Sequence, residues 1–473
     1  MSGEDAITAL IGLSELELRF GEAKLTSGAM EIPADATTSM PRLCPVCGSV
    51  LHGLGRRPVK IRTWPLDPSR PKCALLIFRS RAECPNCGKT VTQPLPSCVK
   101  EHHRVTKAFA QKIGELAADE PFKTIQTKFQ INDATVKRLF TNFAESIVSK
   151  YNFVLPAIMG IDEVMTDGTF RTTITNLERG CLFDILEYRK QSFLEETFAK
   201  YPLEQREAVK WVCSDIYRPF KKPIGDLLPN ARWVIDRFYV VMKANEAVDQ
   251  MRIRLQAQLP PEVRLTLKKR IRFSLLRRPR NLKPQEREIL KILRIACPEL
   301  MRGYDLKEGF YAIYEESFTQ EDAKARFEKW KKTVPTDDNF KEFQALIKTF
   351  ENFQDNILNF FDSGGLTNAQ TECVNGLIRI TNRLGRGYDF KTQRLKMLCR
   401  RQAVINAMRN DVEYGVNIAT LVDSVGQSDA LDEDELMMTS INLDYEKRRQ
   451  NFVETADAFA ELEVLEDELT EVK

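Results

Sequence analysis

From Val154 to Ile161 the chain runs largely apolar and then turns acidic at Asp162-Glu163. A short run of that kind reads as a buried strand, here one that ends in a carboxylate. Trp211-Val212-Cys213-Ser214-Asp215 and Arg232-Trp233-Val234-Ile235-Asp236 repeat the device. Between the first two lie Arg171–Thr175 and Cys181–Leu186, which read as strands joined by a turn at Glu178-Arg179-Gly180. Gln191 to Val209 reads as one helix, and a further helix separates Asp215 from the last strand. The pattern predicts a hairpin meander followed by alternating helices and strands, an α/β sheet that gathers acids at one edge.

Upstream the period changes. Ile7 to Phe20 is weakly apolar-periodic, and Thr, Ser, Pro and Ala follow, so a weak helix and a linker are expected over 1–40. From Val105 to Lys150 the spacing is helical: Phe109, Ile113 and Leu116 share one face, Pro121 starts a second helix with Ile125 and Phe129, and Asn132-Asp133 opens a third from Ala134 to Val148. Three short helices with a tight turn match a helix-turn-helix, which would expose Thr135, Lys137, Arg138 and Asn142 to a DNA groove. Between Asp236 and Glu372 more than a hundred residues are helical in pattern and rich in cations, including Lys268-Lys269-Arg270 and Arg277-Arg278.

Composition narrows the chemistry. The 473 residues suffice for two or three domains, and no apolar run approaches the ~18–20 residues that a membrane helix needs. The opening residues show no secretory pattern, so the cytoplasm is the expected location. Eleven cysteines without an export signal argue for metal ligation over disulfides. Cys44-Pro45-Val46-Cys47-Gly48 is answered by Cys84-Pro85-Asn86-Cys87-Gly88, with strand-like Val59–Arg62 and Ala74–Arg79 between them. That is a zinc ribbon: four thiolates for one structural Zn²⁺, each pair followed by a Gly that allows a tight turn. Cys73 and Cys98 fall outside the spacing and read as ordinary thiols. The three histidines, His52, His102 and His103, all lie in the first 103 residues, so later chemistry must use carboxylates.

Charge points to a polyanion. From Leu421 to Lys473 there are 16 Asp or Glu against 4 Lys or Arg, a net of −12, which leaves +15 for the rest of a chain whose total is +3. A basic body with an acidic tail suits a nucleic-acid partner and a segment that competes with it. Arg56 and Arg57 on the ribbon, with Lys60, Arg62, Arg79 and Arg81, are candidate phosphate contacts.

Meander, helix, acid strand, helix, acid strand is a ribonuclease-H-like order, in which the first and fourth strands are neighbours and bring Asp162 and Asp215 together. Phosphodiester chemistry uses paired carboxylates to hold two Mg²⁺ ions ~3.5–4 Å apart, with no histidine required. A third acid is expected on a helix across the sheet. Glu372 fits: Gly364-Gly365 precede it, Asn368 caps its helix, and Asn375 shares its face at i+3.

At these residues the chain resembles the bacterial insertion-sequence DDE transposases of the ISL-three family, from about Cys44 to Arg400. The resemblance rests on Gly160-Ile161-Asp162-Glu163, Ser214-Asp215, Asp236-Arg237-Phe238-Tyr239, and Thr367 to Phe390 with Glu372, Asn375, Arg383, Gly387, Tyr388 and Phe390. It implies that Asp162, Asp215 and Glu372 bind two Mg²⁺ per active site (Mn²⁺ able to substitute), with Asp236, Tyr239 and Asn375 as secondary active-site residues. Where the family carries His, this chain has Tyr239. Arg383, Arg386 and Lys391, like Arg277 and Arg278, become candidate DNA contacts. Partners are then the element's terminal inverted repeats and target duplex, bound by a homodimer or higher assembly, with no membrane role.

The expected organisation is multidomain α+β. It comprises an N-terminal segment (1–40), a zinc ribbon (41–100), a helix-turn-helix (101–150), a first part of the ribonuclease-H-like core (151–240), a helical insertion (241–360), the rest of the core with the third acid (361–410), and an acidic tail (411–473). Two rivals stand beside a transposase: a non-catalytic DNA-binding regulator derived from one, and a structure-selective nuclease.

Overall fold

The computed structural model describes residues 18–26, 28–65, 72–99, 104–257 and 271–400. The tail, His102 and His103, Lys268-Lys269-Arg270 and the segment from Ile7 to Glu17 lie outside the described residues. Contacts divide the chain into two units, one holding residues up to Asn152 together with the stretch from Ile378, the other holding Phe153–Leu377.

The first unit contains a six-stranded sheet: β1 (Leu18–Phe20), β2 (Lys24–Thr26), β3 (Ala29–Ala36), β4 (His52–Arg62), β5 (Cys73–Glu83) and β6 (Thr90–Thr92). Its main order is β1-β3-β5-β4. The expected linker is thus largely strand from Leu18 onward. Ile32 and Ala34 alternate inward along β3, which pairs in parallel with β5 and joins a core with Ile61, Leu75 and Ile77. Cys73 and Cys98 belong to that core, as ordinary buried thiols.

Three helices follow, α1 (Lys107–Asp119), α2 (Phe122–Phe129) and α3 (Asp133–Val148). Thr106 caps α1 and Asn132 caps α3, each accepting a backbone N–H three residues on; Gln130 turns between α2 and α3 with φ +50°. Phe109, Ile113, Ile125, Phe129 and Phe140 pack together, joined by Tyr388, Leu395 and Cys399 from the end of the described chain. Lys396 is buried among the rings of Phe122, Phe140 and Tyr388 and donates to the carbonyl of Glu120 at 2.9 Å. Burial pushes its ammonium down to about 8.

The second unit is built on a five-stranded sheet: β7 (Ile158–Thr166), β8 (Thr169–Asn176), β9 (Cys181–Leu186), β10 (Trp211–Ser214) and β11 (Arg232–Ile235). Its order is β11-β10-β7-β8-β9. β7, β8 and β9 pair antiparallel, while β10 lies parallel to both β7 and β11. The first and fourth strands of the sheet are therefore neighbours.

Two elements differ from expectation. The first strand begins at Ile158, after Pro156, and carries pairing through Asp162 to the Asp167-Gly168 turn, so Asp162 sits mid-strand. A proline cannot donate to the ladder, whereas the hairpin closes it beyond the acid. The helix expected over 191–209 is two, α4 (Gln191–Ala199) and α5 (Leu203–Glu207), interrupted before Pro202. Crossovers α6 (Arg218–Leu227) and α7 (Arg237–Ala257) follow β10 and β11.

From Pro284 to Asp362 the chain is helical: α8 (Pro284–Ala296), α9 (Pro298–Glu316), α10 (Gln320–Lys331), α11 (Lys341–Asn352) and α12 (Gln354–Asp362). Their apolar faces merge with those of the sheet and α7 into one core, in which Phe327 and Phe350 stack with centroids 3.8 Å apart. A further helix, α13 (Ala369–Gly385), carries Glu372. Among the described residues no helix is long and apolar enough to cross a membrane.

Candidate active site

Strand alternation puts Gly160 and Asp162 of β7 on one face, beside Thr175 and Thr173 of β8. The start of α13 descends on this face. Asn368, Thr371 and Asn375, spaced i, i+3, i+7, form one edge of the helix and are fully buried. Asn368 donates to the carbonyl of Ile161 at 3.2 Å and accepts from the Thr371 hydroxyl at 2.5 Å. A hydroxyl has one proton, so Thr175, 2.7 Å from Thr371, donates to it in turn. One turn further on, Thr173 donates to Oδ1 of Asn375 at 2.7 Å and the Asn375 amide donates to Oδ2 of Asp162 at 2.8 Å. These rungs fix the Asn375 amide orientation and leave Glu372, on the same turn, beside Asp162.

Gly160 makes the approach possible. A Cβ there would stand 2.2 Å from the Thr371 hydroxyl, 2.5 Å from that of Thr175 and 2.7 Å from Oδ1 of Asn368. No side chain fits in that space.

Asp215 and Asp236 each follow directly on a strand end. Asp236 is buried and spans two helix starts: Oδ1 accepts from the N–H of Phe238 in α7 at 2.9 Å, and Oδ2 from the N–H of Asn368, just before α13, at 2.6 Å. A carboxylate at two helix N-termini satisfies free N–H groups and their dipoles together. It holds the helix that bears Glu372. Tyr239, in the first turn of α7, donates its hydroxyl to Oε1 of Glu372 at 2.5 Å.

At these acids burial outweighs the hydrogen bonds and charges that would stabilise the carboxylates. Burial pushes the Asp162 carboxyl up to about 9, helped by the adjacent Glu372 and opposed by the N–H of Glu163. Asp215 is pushed up to about 7 by burial and then by Glu163 and Glu372, with Arg189 opposing. Burial also raises Asp236, against the two helix N–H groups that hold it. The Tyr239 phenol is raised as well, by burial and the nearby carboxylates. Buried like charges of this kind call for a cation. Asp215 supplies a second sign: its Oδ1 is buried with no hydrogen-bond partner among the described residues. Hard oxygen donors, one of them orphaned, fit a divalent ion such as Mg²⁺.

Glu163, on the opposite face of β7, lies near enough to Asp215 to raise its carboxyl. Arg189 holds it at 2.6 Å, and the guanidinium lies 4.0 Å over Phe170 and 5.3 Å over Tyr217. Neither this block nor the Thr173, Thr175 and Thr371 rungs was expected from sequence. Their signals were the second acid of Asp162-Glu163 and the matching of i, i+3, i+7 on the helix to alternate threonines on the strand.

The second metal candidate is in the ribbon. Cys44, Cys47, Cys84 and Cys87 offer sulfurs that all lie within 4.8 Å of one another. Among the described residues no other group of three or more Cys, His, Asp or Glu donors closes as tightly, the three carboxylates being more open. Each pair sits on the same knuckle, with Gly48 and Gly88 at φ +72° and +69° donating to Cys44 and Cys84 carbonyls at 2.9 Å. Four thiolates in that space fit a tetrahedral Zn²⁺.

The expected DNA contacts separate into two groups. Lys137 and Arg138 are exposed on α3, where Lys137 pairs with Asp389 at 2.6 Å, while Thr135 and Asn142 are half-buried. Arg57, Arg383 and Arg386 are exposed; Arg56 pairs with Asp35, and Lys391 with Glu145 at 2.6 Å. Arg277 and Arg278 are instead turned into the helical region: Arg277 pairs with Glu286 at 2.6 Å, and Arg278 with Glu308 at 2.9 Å and Glu315 at 2.8 Å, over the Tyr311 ring.

A family model described as a transposase, of the DDE class and the ISL-three group, matches residues 159–397, more than half of the chain. No match is found among curated proteins.

Proposed function

Because the chain belongs to the ISL-three family of DDE transposases, we propose that it cuts and joins DNA at the ends of an insertion sequence, with Asp162, Asp215 and Glu372 as its catalytic acids. What supports this is that Asp162, on β7, and Asp215, at the end of the neighbouring β10, both have carboxyls raised by burial and by Glu372, while Asp215 Oδ1 is buried without a hydrogen-bond partner among the described residues. Mg²⁺ held by these acids, two ions per site with Mn²⁺ able to substitute, would supply Lewis-acid activation of the attacking and leaving oxygens.

The chain's own residues do the rest. Asn375 and the N–H of Glu163 fix the Asp162 carboxylate through both oxygens. Asp236 sets the start of the Glu372 helix. Water attacks the phosphodiester at the element end, and the freed 3′-hydroxyl then attacks target DNA in the same site. The ribbon, with one structural Zn²⁺ on its four cysteines, and α1–α3 read the terminal inverted repeats. Arg57, Arg138, Arg383 and Arg386 contact phosphates. Joining two ends requires at least a homodimer on DNA.

The test is cleavage of a labelled duplex carrying the element's end, with Mg²⁺ or EDTA, by wild type and Glu372→Gln. Metal-dependent nicking at the end that the variant loses while it still binds is the expected result. Binding without cleavage by either protein, across metals and end lengths, would make the chain a regulator. Cleavage of branched DNA regardless of end sequence would make it a nuclease.

A further inference from the structure

The reading above leaves Tyr239 without a task. Its ring lies at the start of α7, edge-on to Phe238, and its hydroxyl reaches across to Oε1 of Glu372. The two side chains come from α7 and α13, the helices whose starts Asp236 ties together. That carboxylate, with the rungs under α13, fixes the spacing that the rigid phenol spans.

We propose that Tyr239 is a positioning residue, whose hydroxyl holds the Glu372 carboxylate against Asp162 before any cation arrives and leaves one Glu372 oxygen to act as ligand. This rests on Glu372 being the third acid. A glutamate on a helix has three rotatable bonds, and without a partner it samples several rotamers. A donor that fixes one oxygen removes that freedom in advance. The donor must also be neutral: Lys or Arg at this place would offset the negative charge that attracts a divalent ion. A phenol directs without neutralising. Its single proton is committed to Glu372, so it is not free to serve a DNA phosphate.

The experiment uses the full-length protein and two readouts. Mn²⁺ binding is followed by electron paramagnetic resonance without DNA, and cleavage of the element's end is followed with Mg²⁺, for wild type, Tyr239→Phe, Tyr239→His and Glu372→Gln. Loss of a hydrogen bond to a charged group predicts Mn²⁺ binding weakened about tenfold or more in Tyr239→Phe. The cleavage rate should fall with DNA affinity and melting temperature unchanged, raised Mg²⁺ should recover it, and Tyr239→His, which can donate again, should recover part of both readouts. If Tyr239→Phe binds Mn²⁺ and cuts like wild type while Glu372→Gln does not cut, the proposal is wrong and the catalytic reading stands. If Tyr239→Phe melts lower and the His variant recovers nothing, Tyr239 is only structural and the proposal is again wrong. If Glu372→Gln cuts like wild type, the assignment of the third acid falls, and this role with it.

Discussion

Gly160→Ala adds one methyl group to the protein and should disable it. The new Cβ would meet the Thr371 hydroxyl at 2.2 Å, where ordinary contact begins near 3.4 Å, so strand and helix must part by about 1 Å. Over-packing of a rigid site costs about 1–3 kcal/mol. Parting also breaks one or more of the buried rungs, at about 1–3 kcal/mol for each group left unpaired. Together they predict a loss of about 2–6 kcal/mol, or roughly 5–15 °C in melting temperature for a unit of this size. The chemical cost is larger in kind, because Asn375 and Glu372 ride on the same helix. A displacement of about 1 Å can cost on the order of 100-fold in rate. Gly225→Ala is the control: Gly225 lies exposed within α6 and a Cβ there meets nothing within 4 Å, so the same substitution should stabilise by about 0.5–1 kcal/mol. Thermal melting and end cleavage of the two variants side by side decide the matter. A Gly160→Ala protein that melts with wild type and cuts at its rate would refute the docking of α13 through these rungs.

Two further predictions follow from charge. Asp162 and Asp215 have carboxyls pushed up to about 9 and about 7, above the unfolded value near ~3.9, so without divalent ion the folded state holds protons that the unfolded state has lost. Their contribution to stability therefore falls as pH rises from about 4 through 7 to 9, and Mg²⁺ should cancel the loss. Urea melts with and without added Mg²⁺, the ribbon Zn²⁺ left in place, should diverge with rising pH, and equal curves at every pH would contradict the acid cluster. Second, Arg278→Met should lower stability and leave the salt dependence of DNA binding alone, because Arg278 is consumed by Glu308 and Glu315. Arg57→Ala should leave stability alone and reduce the salt slope by about 1; the reverse pattern would exchange their roles.

What sequence could and could not reveal follows from how far apart the interacting residues are. The cysteine knuckles, the three helices with the cap at Asn132, and the strand-end acids Asp215 and Asp236 were legible, because each is encoded within a few neighbouring residues. So was the adjacency of the first and fourth strands, which follows from element order. The strand nature of Ala29–Ala36 was not, since Pro33 and the polar Glu31 and Asp35 blur its alternation, and one of its partners, β5, lies some forty residues away. The fate of Arg277 and Arg278 depends on glutamates as remote as Glu315, and a cation run looks the same whether it faces DNA or an internal carboxylate. The polar rungs were hidden for the same reason: threonines in a strand read as ordinary β formers until a helix lies on them.

Those rungs also explain why a polar contact, rather than an apolar one, seats the helix of Glu372. Leucine-like side chains would keep the helix axis some 10 Å from the sheet, too far for a short amide to reach the strand. Small hydroxyl and amide groups over a glycine permit a closer approach, and each pairs off its own polarity, so burial is not penalised. The last rung does two things at once, since Asn375 both accepts from Thr173 and donates to Asp162. Docking the helix and orienting the Asp162 carboxylate are then a single event. Asp236, by holding Asn368 at the other end of the same ladder, extends that coupling to the strand beside Asp215. Asp162 and Glu372 are kept side by side by donors that carry no charge: the Asn375 amide, the N–H of Glu163 and the Tyr239 hydroxyl.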